Sequence, residues 1–391
     1  MINQPQRYNF IATSTFGLEA TVRREVEKLA KSYDFSDIRV LDGRVDFCGG
    51  LEAVPACNLW LRAADRLLLN MAEFEARTFT ELFDGVSAAD WPGWLPEDAN
   101  FIVTGKSVRS TLSSVPACQK ITEKAVVEKL KTRYRRDWFP KTGAVYKIQV
   151  SLLKDRATVT LDTTGPGLHK RGYREEAGGA PLKETLAAAL IELSYWRRDR
   201  ALLDPLCGSG TIAIEAALAA RNIAPGLARR FVSEDWPAIP ARLWKAARSA
   251  AYAAIDAGFT PRIFASDNDP AAIETARHNA RLAGVDDCVR FEVRDIRDIA
   301  LPGDYGVAIT NPPYGERMGD LPQTEALYAA MGRLFNADRT WSVYVITSHE
   351  GFERLYGRAA DARRKLFNGM IQTNYYQFYG AKPPKPARGE T

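Results

Sequence analysis

Short apolar runs alternate with segments of helical periodicity through the second half of the chain. Strand candidates lie at residues 201–204, 262–266, 289–293 and 306–310, and helix candidates include residues 212–221 and 271–282. Regular strand–helix alternation predicts an α/β fold built on a doubly wound parallel sheet. Near the end, residues 363–367 and 370–379 flank Asn368-Gly369, a dipeptide typical of a tight antiparallel hairpin.

The first half has a different pattern. Residues 18–31 predict a helix, because Leu18, Val22, Val26 and Leu29 recur at helical spacing. Strands are predicted at residues 8–13, in a pair over 37–47, and at 101–108, 145–153 and 157–163. A further helix is predicted from Ser114 to about residue 133, since serine caps helices and Pro116 suits a first turn. This mixture predicts an α+β region before the parallel sheet.

Composition excludes several classes of protein. Hydrophobic residues make up 46 % of the chain, which is ample for buried cores, and no apolar run approaches the roughly 18 residues of a membrane span. The first ten residues lack the apolar segment of a signal peptide. The five cysteines form no Cys-x-x-Cys pair, and the three histidines have no metal-ligand spacing. We expect a cytoplasmic protein with neither a membrane segment nor a bound metal.

Positive charge is concentrated in the middle of the chain. Residues 1–100 have a net charge of −6, residues 101–174 a net charge of +11, and the remainder is neutral. Such a stretch is typical of a nucleic-acid-binding surface, although a solvated helix face is the alternative interpretation. The candidate contacts to nucleic acid are Lys106, Lys120, Lys124, Lys131, Arg133, Arg135, Lys170 and Arg171.

A glycine-rich turn follows the strand at residues 201–204. Gly208 and Gly210 let the backbone pass close to a ligand, and the helix that starts near Thr211 offers free N–H groups. A dinucleotide-binding fold is one alternative. It requires an acidic residue roughly 20 positions after the glycines, whereas the next strand ends at Asp267, much further along. A plain strand-to-helix turn is the other alternative.

Two further strands are followed by acidic side chains. Asp267, with Asn268 beside it, is placed to accept both hydroxyls of a ribose at the carboxyl edge of the sheet. Asp295 follows the strand at 289–293 and is a candidate acceptor for an adenine amino group. A helix N-cap is the structural alternative for Asp295.

Asn311-Pro312-Pro313-Tyr314 closes the strand at residues 306–310. The prolines stiffen the turn, while the side-chain carbonyl of Asn311 and a neighbouring backbone carbonyl offer two acceptors. Two acceptors hold both protons of an aromatic amino group and direct its lone pair toward an electrophile. Tyr314 is suited to stack on the face of a base. The alternative is a surface turn of no chemical importance.

Asp-Pro-x-Cys-Gly-Ser-Gly-Thr at 204–211 followed by Asn-Pro-Pro-Tyr at 311–314 resembles the class I methyltransferases that modify exocyclic amines. Further segments, at residues 168–174, 180–184, 222–225 and 311–317, are similar to the THUMP-containing RNA methyltransferases of the bacterial RlmL type. The resemblance covers essentially the whole chain. It implies S-adenosylmethionine as cofactor, a Rossmann-like sheet of seven strands, RNA as partner, and the N2 amine of guanosine as target.

The resemblance also implies a domain order and a set of roles. Residues 1–50 would form a ferredoxin-like piece, residues 51–165 a THUMP-like RNA-binding domain, and residues 166–391 the methyltransferase domain. Asn311, Pro312 and Tyr314 would be catalytic. The candidate cofactor-binding residues are Asp204, Pro205, Gly208, Gly210, Thr211, Asp267, Asn268, Asp295 and Asn311.

The expected reaction is direct displacement at a sulfonium methyl group, which is already activated and requires neither metal nor covalent intermediate. Pyrimidine C5 methylation would require a nucleophilic cysteine, and Cys207 in the glycine loop is interpreted as a packing residue. Large-subunit (23S) ribosomal RNA is the favoured substrate, with transfer RNA as the alternative. A DNA adenine-N6 methyltransferase and a non-catalytic RNA-binding factor remain open as further alternatives.

Overall fold

The computed structural model of the protein describes residues 6–174, 182–315 and 321–384, and the segments between and beyond them are outside the description. The chain divides into two compact units. The first consists of Met1–Ser14, Val22–Leu168 and Arg229–Ala250, and the second of Thr15–Thr21, His169–Ala228 and Ala251–Thr391. The predicted domain ranges, 1–50, 51–165 and 166–391, stay a prediction.

A single antiparallel-rich sheet is the framework of the first unit. Its strand order is β2-β3-β1-β4-β7-β6-β5, and only the pair β5–β6 is parallel among those described. The strands are β1 (Tyr8–Thr13), β2 (Ser36–Leu41), β3 (Arg44–Gly49), β4 (Arg66–Glu75), β5 (Asn100–Val108), β6 (Val145–Leu153) and β7 (Arg156–Asp162). The helices are α1 (Glu19–Leu29), α2 (Ala53–Trp60), α3 (Phe79–Ser87) and α4 (Val115–Tyr134).

Strand β4 joins the two halves of this sheet, because it pairs with β1 on one side and with β7 on the other. The apolar pattern assigned no element to this segment. Leu67, Leu68 and Leu69 are consecutive and all buried, so the strand shows no polar–apolar alternation. Helix α3 was missed as well, although Thr78 and Glu81 form a capping box, which is a recognisable start signal.

The second unit contains a doubly wound sheet of seven strands in the order β10-β9-β8-β11-β12-β14-β13. The strands are β8 (Leu202–Asp204), β9 (Ile263–Asp267), β10 (Val289–Val293), β11 (Val307–Thr310), β12 (Ser342–Thr347), β13 (Ala362–Asn368) and β14 (Ile371–Phe378). The helices are α5 (Glu184–Glu192), α6 (Thr211–Ala220), α7 (Ala241–Ala253, which begins in the first unit), α8 (Pro270–Leu282), α9 (Leu321–Ala337) and α10 (Phe352–Tyr356).

Strands β8 to β12 are parallel to one another and β14 is antiparallel to β12. The predicted fold class, an α+β region followed by a seven-stranded Rossmann-like sheet whose last strands are antiparallel, is therefore confirmed. An aromatic cluster of Tyr328, Trp341, Phe352, Tyr376 and Phe378 fills one face of the sheet beside β12. This packing fixes the end of β12 relative to β11, where the candidate catalytic residues lie.

The last hairpin differs from its prediction by one residue. Asn368 pairs with Ile371, so the two turn residues are Gly369 and Met370 instead of Asn368 and Gly369. Gly369 has a φ of +63°, while Met370 is not among the residues with positive φ. A positive φ at the first turn position alone is the type II′ geometry, which favours glycine there.

The described residues contain no helix that is both long enough and apolar enough to span a bilayer.

Candidate active site

The carboxyl ends of β8, β9 and β11 meet at one edge of the parallel sheet. A cavity of about 410 Å³ opens at this edge, a size within the usual range for small-molecule sites. Its lining includes Asp204, Gly208, Thr211 and Asn311, which the sequence proposed, and also Asp269. Residues from distant parts of the sequence thus share one cavity because parallel strands end at the same edge.

The glycine loop is held in a conformation that only small residues tolerate. Gly208 and Gly210 have φ values of +49° and +80°. A Cβ atom on Gly210 would lie 2.9 Å from the Cβ of Ala276, closer than real side chains approach. The side chain of Asn279 donates to the carbonyl of Ser209 at 3.1 Å and anchors the loop to α8. The loop therefore brings Gly208, which has no side chain, to the cavity lining.

Asp204 is a buried carboxyl group at the end of β8. Burial raises its pKa to about 7, even though the hydroxyl of Thr310 donates to it at 2.8 Å. Pro205 after it is also buried. A carboxyl group of this kind becomes fully charged most readily when a cation lies beside it. Asp204 is thus suited to a ligand with a positively charged group.

Asp267 supports the glycine loop directly. Its Oδ2 accepts from the backbone N–H of Gly208 at 2.9 Å, and its Oδ1 accepts from the N–H of Asp269 at 3.1 Å. Asn268 is exposed next to it. Asp269 caps α8 by accepting from the N–H of Ala271 at 2.9 Å. The cavity lining includes Asp269 rather than Asp267. The sequence could not distinguish the two residues, because both lie at the end of the same strand.

Asp295 already has partners within the chain. It caps a short 3₁₀ helix through the N–H of Arg297, and the guanidinium of Arg297 donates to both of its oxygens at 2.7 Å. The Arg297 side chain lowers the pKa of Asp295 to about 2. The N-cap interpretation therefore describes what this residue does structurally, and its role toward adenine stays a prediction.

The Asn311-Pro312-Pro313-Tyr314 turn is bound by two directed chains of hydrogen bonds. In the first, the amide of Asn368 donates to the hydroxyl of Tyr314 at 3.3 Å, and that hydroxyl donates to Oδ1 of Asn311 at 2.6 Å. The candidate acceptor for a substrate amine is thus held in place by a hydrogen-bond donor from its own motif.

The second chain reaches the carbonyl of Pro313. The N–H of His349 donates to the hydroxyl of Thr347 at 3.1 Å, and this hydroxyl lies 2.8 Å from that of Tyr328. The Tyr328 hydroxyl donates to the Pro313 carbonyl at 2.8 Å. Tyr328 is fully buried, and burial raises its pKa to about 12, so it remains a donor. Sequence inspection missed Tyr328 and Thr347, since neither stands near a recognisable motif.

The structure contradicts the role predicted for Arg171. It was predicted to contact RNA, but it is buried, with Nε 3.4 Å from Oε1 of Glu215 on α6. The hydroxyl of Tyr173 donates to the same oxygen at 3.2 Å. Arg174 pairs with Glu184 at 3.4 Å and donates to the hydroxyl of Thr211. The motif at 168–174 therefore braces α5 and α6, and Lys170 is its exposed cation.

The other predicted cationic contacts belong to the first unit. Lys106 on β5, Lys120 and Lys124 on α4, and Arg133 are exposed, as is Arg135, which ends α4 in the left-handed conformation. Lys131 is half-buried and pairs with Glu128 at 3.2 Å.

Aromatic residues follow these cations. The hydroxyl of Tyr134 donates to the Leu95 carbonyl at 2.9 Å, and its ring packs against Phe139, so Tyr134 is structural. Trp138 is 74 % exposed and is the aromatic residue of this group that is available for stacking on a base.

Cys207 is enclosed in the glycine loop, where its N–H donates to the carbonyl of Ser266 at 2.9 Å. Burial raises the pKa of its thiol well above the ordinary value. A protonated, buried thiol is a poor nucleophile, in accord with its interpretation as a packing residue.

Family models match successive parts of the chain. The RlmL ferredoxin-like domain matches residues 9–68, the THUMP domain residues 76–162, and the RMKL-like methyltransferase domain residues 171–377. The chain belongs to the RlmL-like THUMP methyltransferases. The resemblance inferred from the glycine loop and the Asn-Pro-Pro-Tyr motif is thereby confirmed. Parts of the segments at 180–184 and 311–317 lie outside the described residues.

Relatives of this family match the chain along its length. The Bacillus subtilis (strain 168) protein "Putative RNA methyltransferase YpsC" is 48 % identical over 387 residues, covering 98 % of this chain and 99 % of that protein. A Listeria monocytogenes structure described as "a predicted N6-adenine-specific DNA methylase" is 46 % identical, with a TM-score of 0.91 and coverage of 96 % and 97 %. A structure of "a putative methyltransferase complexed with SAH" is 44 % identical, with a TM-score of 0.91 and coverage of 97 % and 100 %.

Proposed function

We propose that this RlmL-like methyltransferase transfers a methyl group from S-adenosylmethionine to the exocyclic N2 amine of a guanosine in RNA, with 23S ribosomal RNA as the substrate. Methyl transfer follows from the family, and S-adenosylmethionine is the cofactor. The observation on which the amine target rests is the Asn311 carbonyl, fixed at the cavity and already accepting a hydrogen bond.

The cavity suits a sulfonium cofactor. Asp204 places a carboxylate beside a ligand whose amino acid part has an ammonium group, and Gly208 of the glycine loop adds no side chain to the lining. Asp267 holds that loop and is proposed to accept from the ribose hydroxyls. When bound, the cofactor supplies an activated methyl group. The residues of the chain bind it, orient it and keep water away.

Asn311 acts on the other reactant. The guanine amine is a weak nucleophile because its lone pair is delocalised into the ring. Its two N–H groups donate to the Asn311 side chain and to a neighbouring backbone carbonyl, which stabilises the positive charge that develops on nitrogen. Oδ1 of Asn311 has two lone pairs, so it accepts from the amine while the Tyr314 hydroxyl remains bound to it. Tyr314 and the stiff proline turn hold the base in line with the methyl group, and such positioning supplies much of the acceleration.

RNA is supported by a THUMP domain match, by the name of the Bacillus relative and by the exposed cations of α4. The choice of guanine rests on the resemblance to the RlmL group. Adenine N6 methylation of DNA is the second candidate, because the Asn-Pro-Pro-Tyr geometry suits either amine and the Listeria relative is so described.

The proposal is tested by incubating the purified protein with labelled S-adenosylmethionine and, separately, unmodified ribosomal RNA, transfer RNA and DNA. Each product is digested to nucleosides and resolved by mass spectrometry. We expect label as N2-methylguanosine in ribosomal RNA. Label in transfer RNA alone would move the substrate to that class, and N6-methyladenosine would refute the guanine target.

A further inference from the structure

The β13–β14 hairpin extends past the edge of the sheet that holds the cavity. The last pair between β12 and β14 is Thr347 with Asn374, and β14 is antiparallel to β12. The residues from Ile371 to Thr373 therefore lie beyond the carboxyl end of β12, and at roughly 3.4 Å per residue they reach about 10 Å past it. The turn at Gly369 and Met370 stands at the end of this projection.

The base of the turn contacts the catalytic motif. Asn368 pairs with Ile371, and its amide donates to the Tyr314 hydroxyl at 3.3 Å. Tyr314 in turn holds Asn311. Asn368, at the base of the turn, is thus two hydrogen bonds away from the proposed acceptor of the substrate amine. The hydrogen bonds of Asn368 and Tyr314 therefore join the base of this turn to the residue proposed to bind the target base.

The tip of the hairpin is apolar. Met370 is 97 % exposed, which exceeds the exposure of every other large apolar residue described. Phe16, which belongs to the same unit, is 56 % exposed, and its ring lies edge-on to Phe367 of β13 at 6.4 Å. A type II′ turn requires glycine at its first position only, so the turn itself does not require methionine at the second. An apolar side chain on a projecting turn is suited to insert between stacked bases.

The strand that leads to the tip is basic. Arg363, Arg364 and Lys365 are consecutive and exposed on β13, which is the edge strand of the sheet. Arg363 pairs with Glu353 at 3.8 Å, while Lys365 lies 5.8 Å from the ring centroid of Phe367. Charged edge strands also prevent sheet-to-sheet aggregation, which would explain the cations. That explanation does not account for Met370, which stands at the tip of a hairpin whose base binds Tyr314.

We propose that the β13–β14 hairpin binds the RNA strand on either side of the target nucleotide, with Met370 wedged into the base stack and Arg364 and Lys365 against the flanking phosphates. This inference rests on the proposed function, since a stacked base must leave its neighbours before its amine reaches Asn311. Apolar wedges of methionine or phenylalanine unstack base steps in other nucleic-acid complexes. The hairpin would keep the stack open while the base occupies the site.

The wedge is tested by kinetics on intact ribosomal RNA with Met370→Ser, the conservative variant Met370→Leu, and Tyr252→Ser as a matched control. Tyr252 is 60 % exposed on α7 and is not part of the β13–β14 hairpin. Loss of a wedge should lower kcat/KM about tenfold for Met370→Ser, while leucine restores it. Affinity for S-adenosylhomocysteine should be the same in every variant.

The phosphate contacts are tested by Arg364→Glu with Lys365→Glu, compared with Arg290→Glu on β10, the opposite edge strand of the same sheet. We expect a higher KM for RNA and a flatter salt dependence in the first variant only. The wedge would be overturned if kcat/KM of Met370→Ser were within about twofold of wild type, which is roughly the resolution of such kinetics. It would also be overturned if Met370→Leu lowered kcat/KM as much as Met370→Ser. If the wild-type protein methylates no RNA at all, the proposed function fails instead.

Discussion

Asp204 is buried and lines the cavity proposed to bind the cofactor, and this combination predicts a pH dependence. Its pKa is raised to about 7, so the carboxyl is largely neutral at pH 6 and largely ionised at pH 8. The ionised form attracts a cationic ligand. Affinity for S-adenosylmethionine should therefore rise about tenfold from pH 6 to pH 8 in titration calorimetry. In Asp204→Asn this rise should disappear; a rise of equal size in that variant would show that another group titrates.

The sequence predicts the structural position of some functional residues but not of others. Asp204, Gly208 and Asn311 could be predicted to share a cavity, because each stands at or just after a strand end. Arg171 could not be placed, because its burial against Glu215 depends on how a loop packs on α6. Long-range contacts of this kind have no local pattern in the chain.

At the scale of elements, α9 positions the catalytic turn through one hydroxyl. Tyr328→Phe removes the hydroxyl that donates a hydrogen bond to the Pro313 carbonyl. We expect a loss of about 1–2 kcal/mol in the free energy of unfolding and a fall in kcat of roughly 3- to 10-fold, with unchanged cofactor affinity. Denaturant unfolding and single-turnover kinetics measure these quantities.

The matched control is Tyr146→Phe on β6. Within the described residues the Tyr146 hydroxyl is buried and has no hydrogen-bond partner, so its removal should cost little. An undiminished kcat in Tyr328→Phe would mean that the proline turn holds its shape without α9.

Elements with clear periodicity were predicted closely from the chain. Strands β6 and β10 have the predicted bounds, because apolar and polar residues alternate in both. Strand β4 was missed because its three consecutive leucines are buried on both faces of the sheet, so polar and apolar residues do not alternate there. The hairpin turn was displaced by one residue, because Asn368 serves as a strand residue that binds Tyr314 rather than as a turn residue.

At the scale of the whole molecule, the unequal distribution of charge is the feature most closely tied to RNA. The net charge of +11 over residues 101–174 contrasts with −6 over the first hundred residues. Reversal of Lys120, Lys124 and Arg135 to glutamate should weaken RNA binding and reduce the slope of log affinity against log salt by about 2, since each lost phosphate contact removes somewhat less than one released counterion.

A control variant with the same change in charge uses Lys28, Lys31 and Arg39, which are exposed in the ferredoxin-like part. Filter binding at several salt concentrations compares the two variants. Equal slopes in both would indicate that net charge alone, and not the α4 surface, governs RNA affinity.

Asn311 is proposed to direct methyl transfer to the N2 amine of guanosine in ribosomal RNA. The most direct test of this role is quantitative mass spectrometry of nucleosides from 23S ribosomal RNA of a strain that lacks this gene, complemented with wild-type protein or Asn311→Ala. We predict that deletion removes about one N2-methylguanosine per 23S molecule, which corresponds to one target site. The nucleoside should return only with the wild-type protein, because loss of the charge-stabilising acceptor in Asn311→Ala should slow turnover about 100-fold or more. Full restoration by Asn311→Ala, or an unchanged N2-methylguanosine content in the deletion strain, would contradict it.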